Sequence, residues 1–317
     1  MSSNFTEPKP TFLLIDGHAL IYRAYHAFPP LTDSEGQIVG ATYGFLRILL
    51  AVLKQVQPKY WAIAFDHPAP TKRKLEFAFY KANRKPMPDD LQPQIPIIEE
   101  AATTLGIPEF KIPGIEGDDI IGTLAHLIVE TDKADVLILT GDRDSFQLVT
   151  DHIHVLVPNL GYHKEQEGGS MTQYNPALVE QKMQLPPQAI IDFKALAGDP
   201  SDNIPGVPGI GSKTAITLLQ KYQNLDNVYQ NLDADSLTDV RPNVIKKLTA
   251  GRESAYISQK LAKIDQDIDL DFNLNACAVD GYNKDAMAQL LTRYGFHSLI
   301  KLLPNDEFET GLQEALF

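Results

Sequence analysis

The segment TFLLIDG, residues Thr11 to Gly17, indicates how the chain begins to fold. Its run of apolar residues, ended by Asp16 and Gly17, predicts a short buried strand followed by a turn. Two further runs repeat the pattern: YWAIAF at 60–65 is followed by Asp66, and DVLILT at 135–140 is followed by Gly141 and Asp142. IHVLV at 153–157 predicts a fourth strand, and helical spacing over 41–56 is ended by Pro58. The alternation of strands and helices predicts an α/β domain with a largely parallel sheet.

Three of the predicted strands end in a carboxylate: Asp16, Asp66 and Asp142 each lie at or just past a carboxyl end. In an open α/β sheet that edge is where ligands bind, because the loops there converge on one crevice. We therefore expect the three side chains to meet.

Further acids extend this group. The chain also contains a Glu-Gly-Asp-Asp group, an Asp-Arg-Asp pair and the motif GDPSDN. The resulting candidate set is Asp16, Asp66, Glu116, Asp118, Asp119, Asp142, Asp144, Asp199 and Asp202. Like charges a few ångströms apart raise each other's pKa, so these carboxylates need cations to share one crevice. Hard oxygen ligands suit Mg²⁺ or Mn²⁺, and a pair of such ions can hold both the attacking and the leaving oxygen of a phosphodiester.

Composition limits the possible classes of protein. With 317 residues, 44% of them hydrophobic, the chain can bury a large core. Its single cysteine, Cys277, allows no intrachain disulfide, which favours a reducing compartment. No apolar run approaches the roughly 18 residues of a membrane span, and Met1 to Pro10 has no apolar core of a signal peptide. We expect a soluble, cytoplasmic protein that contacts no membrane.

The net charge of −13 at first argues against a nucleic-acid ligand, but basic residues are concentrated in two stretches. Residues 72–85 contain six Lys or Arg and one Glu, interleaved with aromatic residues, and 241–263 again contain six and one. Cations beside aromatic side chains suit phosphate contact and stacking on an unpaired base, although a solvated charged face explains many such runs. Arg23, in the helix after Asp16, is a further candidate for phosphate contact.

The glycine-rich motif GVPGIGSK, residues 206–213, resembles a Walker A loop but has the wrong spacing and follows a helical stretch. Its Gly-Ile-Gly turn opens into a predicted helix at 213–221, which leaves free backbone N–H groups at the helix start. Such groups can bind a DNA phosphate independently of base sequence. A purely structural turn is the alternative.

Six ordered motifs together resemble one family. LLIDGHALIYRAYHAF, AIAFDHPAPTKR, YKANRKPMPDDL, PGIEGDDIIGTLA, LILTGDRDSFQL and FKALAGDPSDNIPGVPGIGSKTA occur between Phe12 and about Leu303. They resemble the 5′→3′ exonuclease domain of bacterial DNA polymerase I, which is related to flap endonucleases. The resemblance implies a PIN-like 5′-nuclease core with a mostly parallel central sheet, a helical arch and a C-terminal helical subdomain with a helix–three-turn–helix element.

The same resemblance predicts domain bounds. Residues 1–173 would form the α/β nuclease core, with the arch at about 67–105. Residues 174–317 would form the helical DNA-binding subdomain, with the helix–three-turn–helix element at about 198–222.

The resemblance also implies roles for individual residues. Asp16, Asp66, Glu116 and Asp118 would hold one metal region. Asp119, Asp142, Asp144, Asp199 and Asp202 would complete the other. Lys81 and Arg84 would face the scissile phosphate from the arch, and Arg73 and Tyr80 would contact the 5′ strand. Gly206, Gly209, Gly211 and Lys213 would grip duplex DNA, where a K⁺ ion can also bind.

The function implied is a Mg²⁺-dependent 5′→3′ exonuclease and 5′-flap endonuclease of replication and repair, with Mn²⁺ as a substitute. Its partners would be DNA with a 5′ flap, nick or 5′ end, and RNA primer–DNA hybrids. The resemblance further implies a monomer associated with the bacterial nucleoid and, where present, the polymerase portion of the same protein. A catalytically silent DNA-binding module would require lost ligands. A PIN-like ribonuclease is usually shorter and lacks the GVPGIGSK element.

Overall fold

The strands of the structure, a computed structural model that describes residues 9–159 and 170–304, form one sheet. They are β1 Thr11–Asp16, β2 Tyr60–Ala64, β3 Glu109–Phe110, β4 Asp135–Leu139, β5 Ile153–Asn159 and β6 Ser170–Tyr174. Their order is β3-β2-β1-β4-β5-β6. All neighbouring pairs are parallel except β5 and β6, which are antiparallel. The mostly parallel sheet predicted from the sequence is therefore confirmed.

The helices flank the sheet in the first half of the chain and dominate the second half. They are α1 Gly17–Ala27, α2 Gly40–Val56, α3 Lys72–Glu76, α4 Ile95–Thr104, α5 Gly117–Glu130, α6 Pro176–Met183, α7 Ile190–Ala197, α8 Ser212–Tyr222, α9 Leu225–Asp233, α10 Pro242–Ala250, α11 Arg252–Ala262, α12 Lys284–Arg293 and α13 His297–Ile300. No described helix combines the length and the hydropathy that crossing a membrane requires.

Alternation along β1 explains the three-layer arrangement. Leu13 and Ile15 face a core that includes residues of α1, α2 and α4, whereas Phe12 and Leu14 face a second core built mainly on α5. Successive side chains of a strand point to opposite faces, so a strand covered on both sides must be apolar throughout. This is why residues 11–15, TFLLI, form a nearly continuous apolar run.

The second half contributes a helical unit and then returns to the sheet. Helices α7 to α11 share an apolar core of their own, which includes Leu218, Leu219 and Tyr229. Met287 and Leu291 of α12 instead pack in the core that α2 and α4 form with the sheet. The division after residue 173 remains a prediction, and this packing shows that α12 contacts the α/β layer.

The predicted arch differs from a continuous helix. Within 67–105 only α3, a 3-10 helix at Gln92–Gln94 and α4 are helical, and 78–83 form turns. Residues Ile97, Ile98 and Ala101 of α4 are buried in the α/β core. The rest of the predicted arch is therefore the stretch before α4, and within it Tyr80 and Leu91 are buried.

Candidate metal and nucleic-acid site

The first predicted carboxylate lies at the end of β1, where one hydroxyl connects two strands. The Thr140 hydroxyl, just past β4, donates to Asp16 Oδ2 at 2.7 Å and accepts from the Asp142 N–H at 2.9 Å. Asp16 Oδ1 also accepts from the Ala19 N–H at 3.1 Å and so caps α1. Thr140 is fully buried, so its hydroxyl fixes the orientation of Asp16 against the loop after β4.

Asp66, after β2, contacts the start of α5. Its Oδ1 accepts from the Gly117 N–H at 2.7 Å, and its own N–H donates to His18 Nδ1 at 3.1 Å. A Cβ at Gly117 would lie 3.2 Å from that carboxylate oxygen, so a side chain there would crowd the pair. The small residue allows the close approach of the helix start to Asp66.

Glu116, immediately before α5, is buried and carries several hydrogen bonds. Its carboxylate accepts from Thr71 Oγ1 at 2.9 Å, Tyr80 Oη at 3.1 Å and Lys81 Nζ at 2.5 Å. Burial would raise its pKa, but the Lys81 charge and hydrogen bond, followed by Arg73 and Thr71, outweigh burial and lower that pKa. Glu116 is therefore held as a carboxylate.

Asp118 and Asp119 stand in the first turn of α5 in different surroundings. Burial, followed by the charges of Asp119 and Glu116, raises the pKa of Asp118 against the attraction of Lys81. The two oxygens of Asp119 receive a bidentate contact from Arg73, with Nη2 at 2.6 Å from Oδ1. Asp119 Oδ1 also accepts from the Asp265 N–H at 2.8 Å. Both oxygens of Asp119 are thus engaged by protein donors.

A second cluster of carboxylates contains residues from both the α/β part of the chain and the helical unit. Asp144, Asp199 and Asp202 each offer an oxygen, and these oxygens lie within 4.8 Å of one another. Burial, then Asp142, raises the pKa of Asp144 to about 6. The Asp144 N–H donates to Asp142 Oδ1 at 2.9 Å, which links this group to the end of β4.

Lys194 lies between two of these carboxylates and was not among the site residues predicted from the sequence. Its ammonium forms an ion pair with Asp144 and lies 2.6 Å from Asp199 Oδ2. Although burial opposes it, the pairing with Lys194, helped by Ser201, lowers the pKa of Asp199 to about 2. The sequence signal was a lysine in helix α7, where Asp192 is the only other charged residue, five residues before Asp199.

The donor set fits divalent cations. All these groups offer carboxylate oxygens, the ligands that Mg²⁺ and Mn²⁺ prefer. The Lys194 ammonium already lies between Asp144 and Asp199, which shows that a cation can occupy the space between them. Asp16 and Asp144 have raised pKa values, so their charged forms lack sufficient positive compensation from the protein. A bound divalent cation would supply it.

The predicted phosphate-facing cations lie against these carboxylates. Arg84 contacts Asp202 Oδ1 at 2.5 Å, and the Lys81 N–H donates to the Asp202 carbonyl at 2.9 Å. Lys81 has a positive φ of 54°, within the turns at 78–83. Tyr80 is buried beside Ile204, and the Lys81 ammonium lies 4.9 Å from the centre of its ring.

Two arginines predicted to contact DNA instead donate hydrogen bonds to carbonyl groups of the protein. Arg23 Nε donates to the Pro158 carbonyl at 2.8 Å, and Arg73 also donates to the Lys263 carbonyl at 2.6 Å. Neither guanidinium, nor the buried Tyr80 ring, is presented freely to a ligand in this structure. Their assignment as DNA contacts stays a prediction that would require these bonds to exchange.

The glycine-rich turn connects α7 to α8 as its motif predicts. Gly206 has φ of 63°, and a Cβ there would lie 2.2 Å from the Gly198 nitrogen, so only glycine fits. Lys247 Nζ donates to the Gly209 carbonyl at 2.8 Å and stabilises the turn. Gly211 precedes α8 with no side-chain cap, and Lys213 is exposed in its first turn. The start of α8 therefore has no side-chain cap, and binding of a phosphate there stays a prediction.

The nine candidate carboxylates thus form one connected region. Three of them, Asp16, Asp66 and Asp142, lie at the strand ends. Asp144 lies beside Asp199 and Asp202. Lys81 connects Asp202 to Glu116, and Asp118 is nearby. Lys81 Nζ lies 3.9 Å from Asp202 Oδ2 and 2.5 Å from Glu116 Oε2. Asp119 lies at the border, paired with Arg73.

The raised pKa of Asp16 has a measurable consequence. Burial, together with Asp142 and Asp66, raises this pKa to about 7 although the bonds from Thr140 and Ala19 oppose the shift. The folded state then binds a proton that the unfolded state releases, so this group's contribution to stability falls between about pH 4 and pH 7. Asp16→Asn should remove that loss and stabilise the protein in EDTA at pH 7.5 by up to about 4 kcal/mol.

Urea unfolding of both proteins in EDTA at pH 4.5 and pH 7.5 measures this effect. The difference in the free energy of unfolding between Asp16→Asn and the wild type should grow with pH. Asp151→Asn, at an exposed aspartate, serves as the control. A difference that is the same at both pH values would show that Asp16 ionises normally in the fold.

Comparison with known families gives two adjacent matches. Residues 11–184 match the family described as 5′-3′ exonuclease, N-terminal resolvase-like domain. Residues 185–285 match the family described as 5′-3′ exonuclease, C-terminal SAM fold.

Relatives of known name agree with these families. The chain is 39% identical over 291 residues to DNA polymerase I of Caldicellulosiruptor bescii, covering 92% of the chain and 33% of that relative. It is 39% identical over 294 residues to the thermostable DNA polymerase I of Thermus thermophilus, covering 93% of the chain and 33% of that relative. The chain spans about a third of the length of these relatives.

Solved structures share the fold at low sequence identity. The crystal structure of T5 D15 protein co-crystallised with metal ions has a TM-score of 0.62 at 19% identity, covering 92% of this chain and 99% of that one. The catalytic core of Rad2 in complex with DNA substrate has a TM-score of 0.55 at 18% identity, covering 94% and 93%.

Proposed function

The chain belongs to the 5′-3′ exonuclease family, and from that premise we propose that it is a metal-dependent, structure-selective 5′-nuclease acting on DNA. It would hydrolyse phosphodiester bonds at 5′ ends, nicks and 5′ flaps, and remove RNA primers from DNA, in replication and repair. The observation that supports this most is the convergence of Asp144, Asp199 and Asp202 from both family-matched regions, with oxygens within 4.8 Å.

The carboxylates divide into two groups that would each hold a divalent cation, Mg²⁺ or Mn²⁺. Asp16, Asp66, Glu116 and Asp118 are proposed for one, and Asp142, Asp144, Asp199 and Asp202 for the other, with Asp119 bracing Arg73. Bound there, such ions would supply Lewis acidity and lower the pKa of an attacking water.

The protein's own residues would orient these groups and compensate charge. Thr140 fixes Asp16, and Lys194 holds Asp144 beside Asp199. Lys81 and Arg84 place positive charge next to Glu116 and Asp202. If these cations exchange their carboxylate partners for the scissile phosphate, they would stabilise the negative charge that redistributes during attack.

The helical unit would hold the duplex. The exposed start of α8, with Gly211 and Lys213, offers backbone N–H groups and a cation to a phosphate without reading bases. We propose that the turn at 206–211 also accepts K⁺. The protein would act as a monomer in the bacterial cytoplasm, as the N-terminal part of a polymerase or beside one.

A 5′-flap duplex labelled on the flap tests the proposal. We expect cleavage near the base of the flap with Mg²⁺ or Mn²⁺ and none in EDTA, with products sized on a denaturing gel. Cleavage that persists in EDTA would contradict metal dependence. Binding without cleavage would instead support a silent DNA-binding module, and cleavage of single-stranded RNA alone would support a ribonuclease.

A further inference from the structure

Helix α11 binds the glycine-rich turn at 206–211 through two serines. The Gly206 N–H donates to Ser258 Oγ at 2.9 Å, and Ser254 Oγ donates to the Gly206 carbonyl at 2.6 Å. Residues four apart lie on the same face of a helix, so the two serines reach one glycine together. Ser258 is fully buried, so water cannot replace its hydroxyl as the partner of the Gly206 N–H. The turn is therefore fixed to α11.

The end of α11 is bound by the α/β part of the chain. Gln147 Nε2 donates to the Ala262 carbonyl at 3.0 Å, and Gln147 Oε1 accepts from the Ile264 N–H at 2.9 Å. The last carbonyls of a helix have no partner within the helix, and here a side chain from another element supplies one. Residues 262–265, which we term the anchor, thus attach α11 to the α/β part.

Two charged side chains hold the anchor further. Asp119 Oδ1 accepts from the Asp265 N–H at 2.8 Å, and Arg73 Nη2 donates to the Lys263 carbonyl at 2.6 Å. Each of the four anchor residues therefore has a backbone group that is bound by a side chain of the α/β part.

Gln147 connects the anchor to a candidate metal ligand. It lies with Asp144 in the 3-10 helix Asp144–Leu148, whose Phe146 is buried in the core that α5 forms with the sheet. Gln147 itself is buried, so its two hydrogen bonds are protected from competition by water. The anchor and the backbone of Asp144 are therefore fixed relative to each other.

Helix α11 thus runs between the glycine-rich turn and the elements that carry the carboxylates. Its 11 residues, at a rise of 1.5 Å each, make it about 16 Å long. Successive phosphates of one DNA strand are separated by about 3.4 Å along the duplex axis. If the turn holds a duplex phosphate, a displacement of that size relative to the carboxylates would bring the neighbouring phosphodiester to the site. A fixed α11 can therefore determine which bond is presented.

The ion pair of Lys194 with Asp144 also connects the two parts, but it is less suited to this role. Divalent cations bound by Asp144 and Asp199 would compete with the ammonium for the same oxygens. The hydrogen bonds of Gln147 and Ser258 involve no carboxylate, so metal binding would leave them in place.

We propose that α11 is a spacer that selects the phosphodiester bond to be cleaved, with Gln147 and Ser258 as positioning residues at its two ends. Neither side chain needs to touch the substrate, because each acts through the backbone that it holds. The inference rests on the proposed function, since it assigns the cleavage position of that nuclease to a fixed distance within the protein.

Gln147→Met tests the anchor, because methionine keeps the length of the side chain and removes both hydrogen bonds. Single-turnover cleavage of a 5′-flap duplex in Mg²⁺, labelled at the flap end, is resolved to single nucleotides on a denaturing gel. The ratio of products cut one nucleotide away to the principal product should rise about tenfold, since the loss of two hydrogen bonds shifts an equilibrium by that order. Affinity for blunt duplex in EDTA should be unchanged, because the turn keeps its contacts.

Ser258→Ala tests the other end of α11 and should spread the products in the same way, so the inference remains testable if Gln147→Met does not fold. The matched control is Gln94→Met. Gln94 is fully buried and likewise joins two backbone groups, the Thr42 N–H at 3.0 Å and the Asp90 carbonyl at 2.8 Å, but all three residues lie in the α/β part. This control should lose stability and keep the wild-type cleavage position.

A second measurement needs no metal. Spin labels on Lys246→Cys in α10 and His126→Cys in α5, two exposed positions, report the distance between the two parts by double electron–electron resonance in EDTA. The single native cysteine, Cys277, is buried. The distance distribution should be narrow in the otherwise wild-type protein and in Gln94→Met, and wider in Gln147→Met and Ser258→Ala.

The other outcomes overturn the inference. An unchanged cleavage position in Gln147→Met and Ser258→Ala would contradict it even if the rate falls. Equal spreading in Gln94→Met would show that loss of stability is the cause, and spreading with an unchanged distance distribution would assign the cleavage position to another element. Absence of cleavage by the wild type would contradict the nuclease proposal, whereas the distances in EDTA would still test the connection through α11.

Discussion

Asp144→Asn should reduce single-turnover cleavage of a 5′-flap substrate by at least about 10³-fold while DNA binding in Ca²⁺ persists. Asp144 belongs to the group whose oxygens lie within 4.8 Å of one another, and the amide keeps its shape but loses its charge. Metal ions bound by such groups supply several kcal/mol of transition-state stabilisation, and each 1.36 kcal/mol corresponds to about a tenfold change in rate.

A paired variant separates loss of chemistry from loss of folding. Burial raises the pKa of Asp144, so its carboxylate is costly in the folded state and a neutral amide is tolerated. Asp199 has a pKa lowered to about 2 despite burial, because Lys194 and Ser201 stabilise its carboxylate. Both Asp144→Asn and Asp199→Asn should lose cleavage, but only Asp199→Asn should also lower the free energy of unfolding at pH 7.

Rapid-quench kinetics, with Asp151→Asn as the control for removal of an exposed carboxylate, measures the first effect. Urea unfolding in EDTA measures the second. A wild-type rate for Asp144→Asn at saturating Mg²⁺ would show that the group at 144, 199 and 202 takes no part in hydrolysis.

The sequence predicted the sheet and the carboxylates at its edge because both follow from short-range patterns. Continuous apolar runs ended by Asp identify the parallel strands, and the parallel arrangement brings their carboxyl ends to one edge. Two strands were missed. β3 has only two residues, and β6 has no clear alternation, so neither carries a periodic signal.

The partners of the carboxylates could not be predicted in the same way. Lys194 reaches Asp144 from a helix fifty residues away, and Arg73 reaches Asp119 across forty-six. These contacts depend on how the helical unit packs on the sheet, which no local pattern encodes. The basic stretch at 72–85 was interpreted as a surface for DNA, and the structure divides it into cations that pair internally and cations that remain free.

This division bears on Lys81, whose truncation is the second large effect that we expect. Lys81 is held by its backbone to Asp202 and by its ammonium to Glu116, at the centre of the carboxylate region. Two roles are possible for that charge. It can stabilise the phosphate in the transition state, or it can serve only as the counter-ion that keeps Glu116 ionised for metal binding.

Lys81→Ala should lower the single-turnover rate by roughly 10²–10³, the usual cost of losing one preorganised charge contact, with much smaller loss of affinity for the flap substrate in Ca²⁺. The matched control is Lys111→Ala, which breaks an ion pair with Glu99, outside the carboxylate region.

The rate is measured over a full Mg²⁺ titration. Loss of the Lys81 charge also raises the pKa of Glu116, so the Mg²⁺ concentration that gives the half-maximal rate should rise. A rate that recovers fully at high Mg²⁺ would contradict the phosphate role and leave Lys81 as a counter-ion of Glu116. A deficit that persists at saturating Mg²⁺, where Glu116 no longer needs the ammonium, can only arise from the reaction itself, and this is the result that we expect.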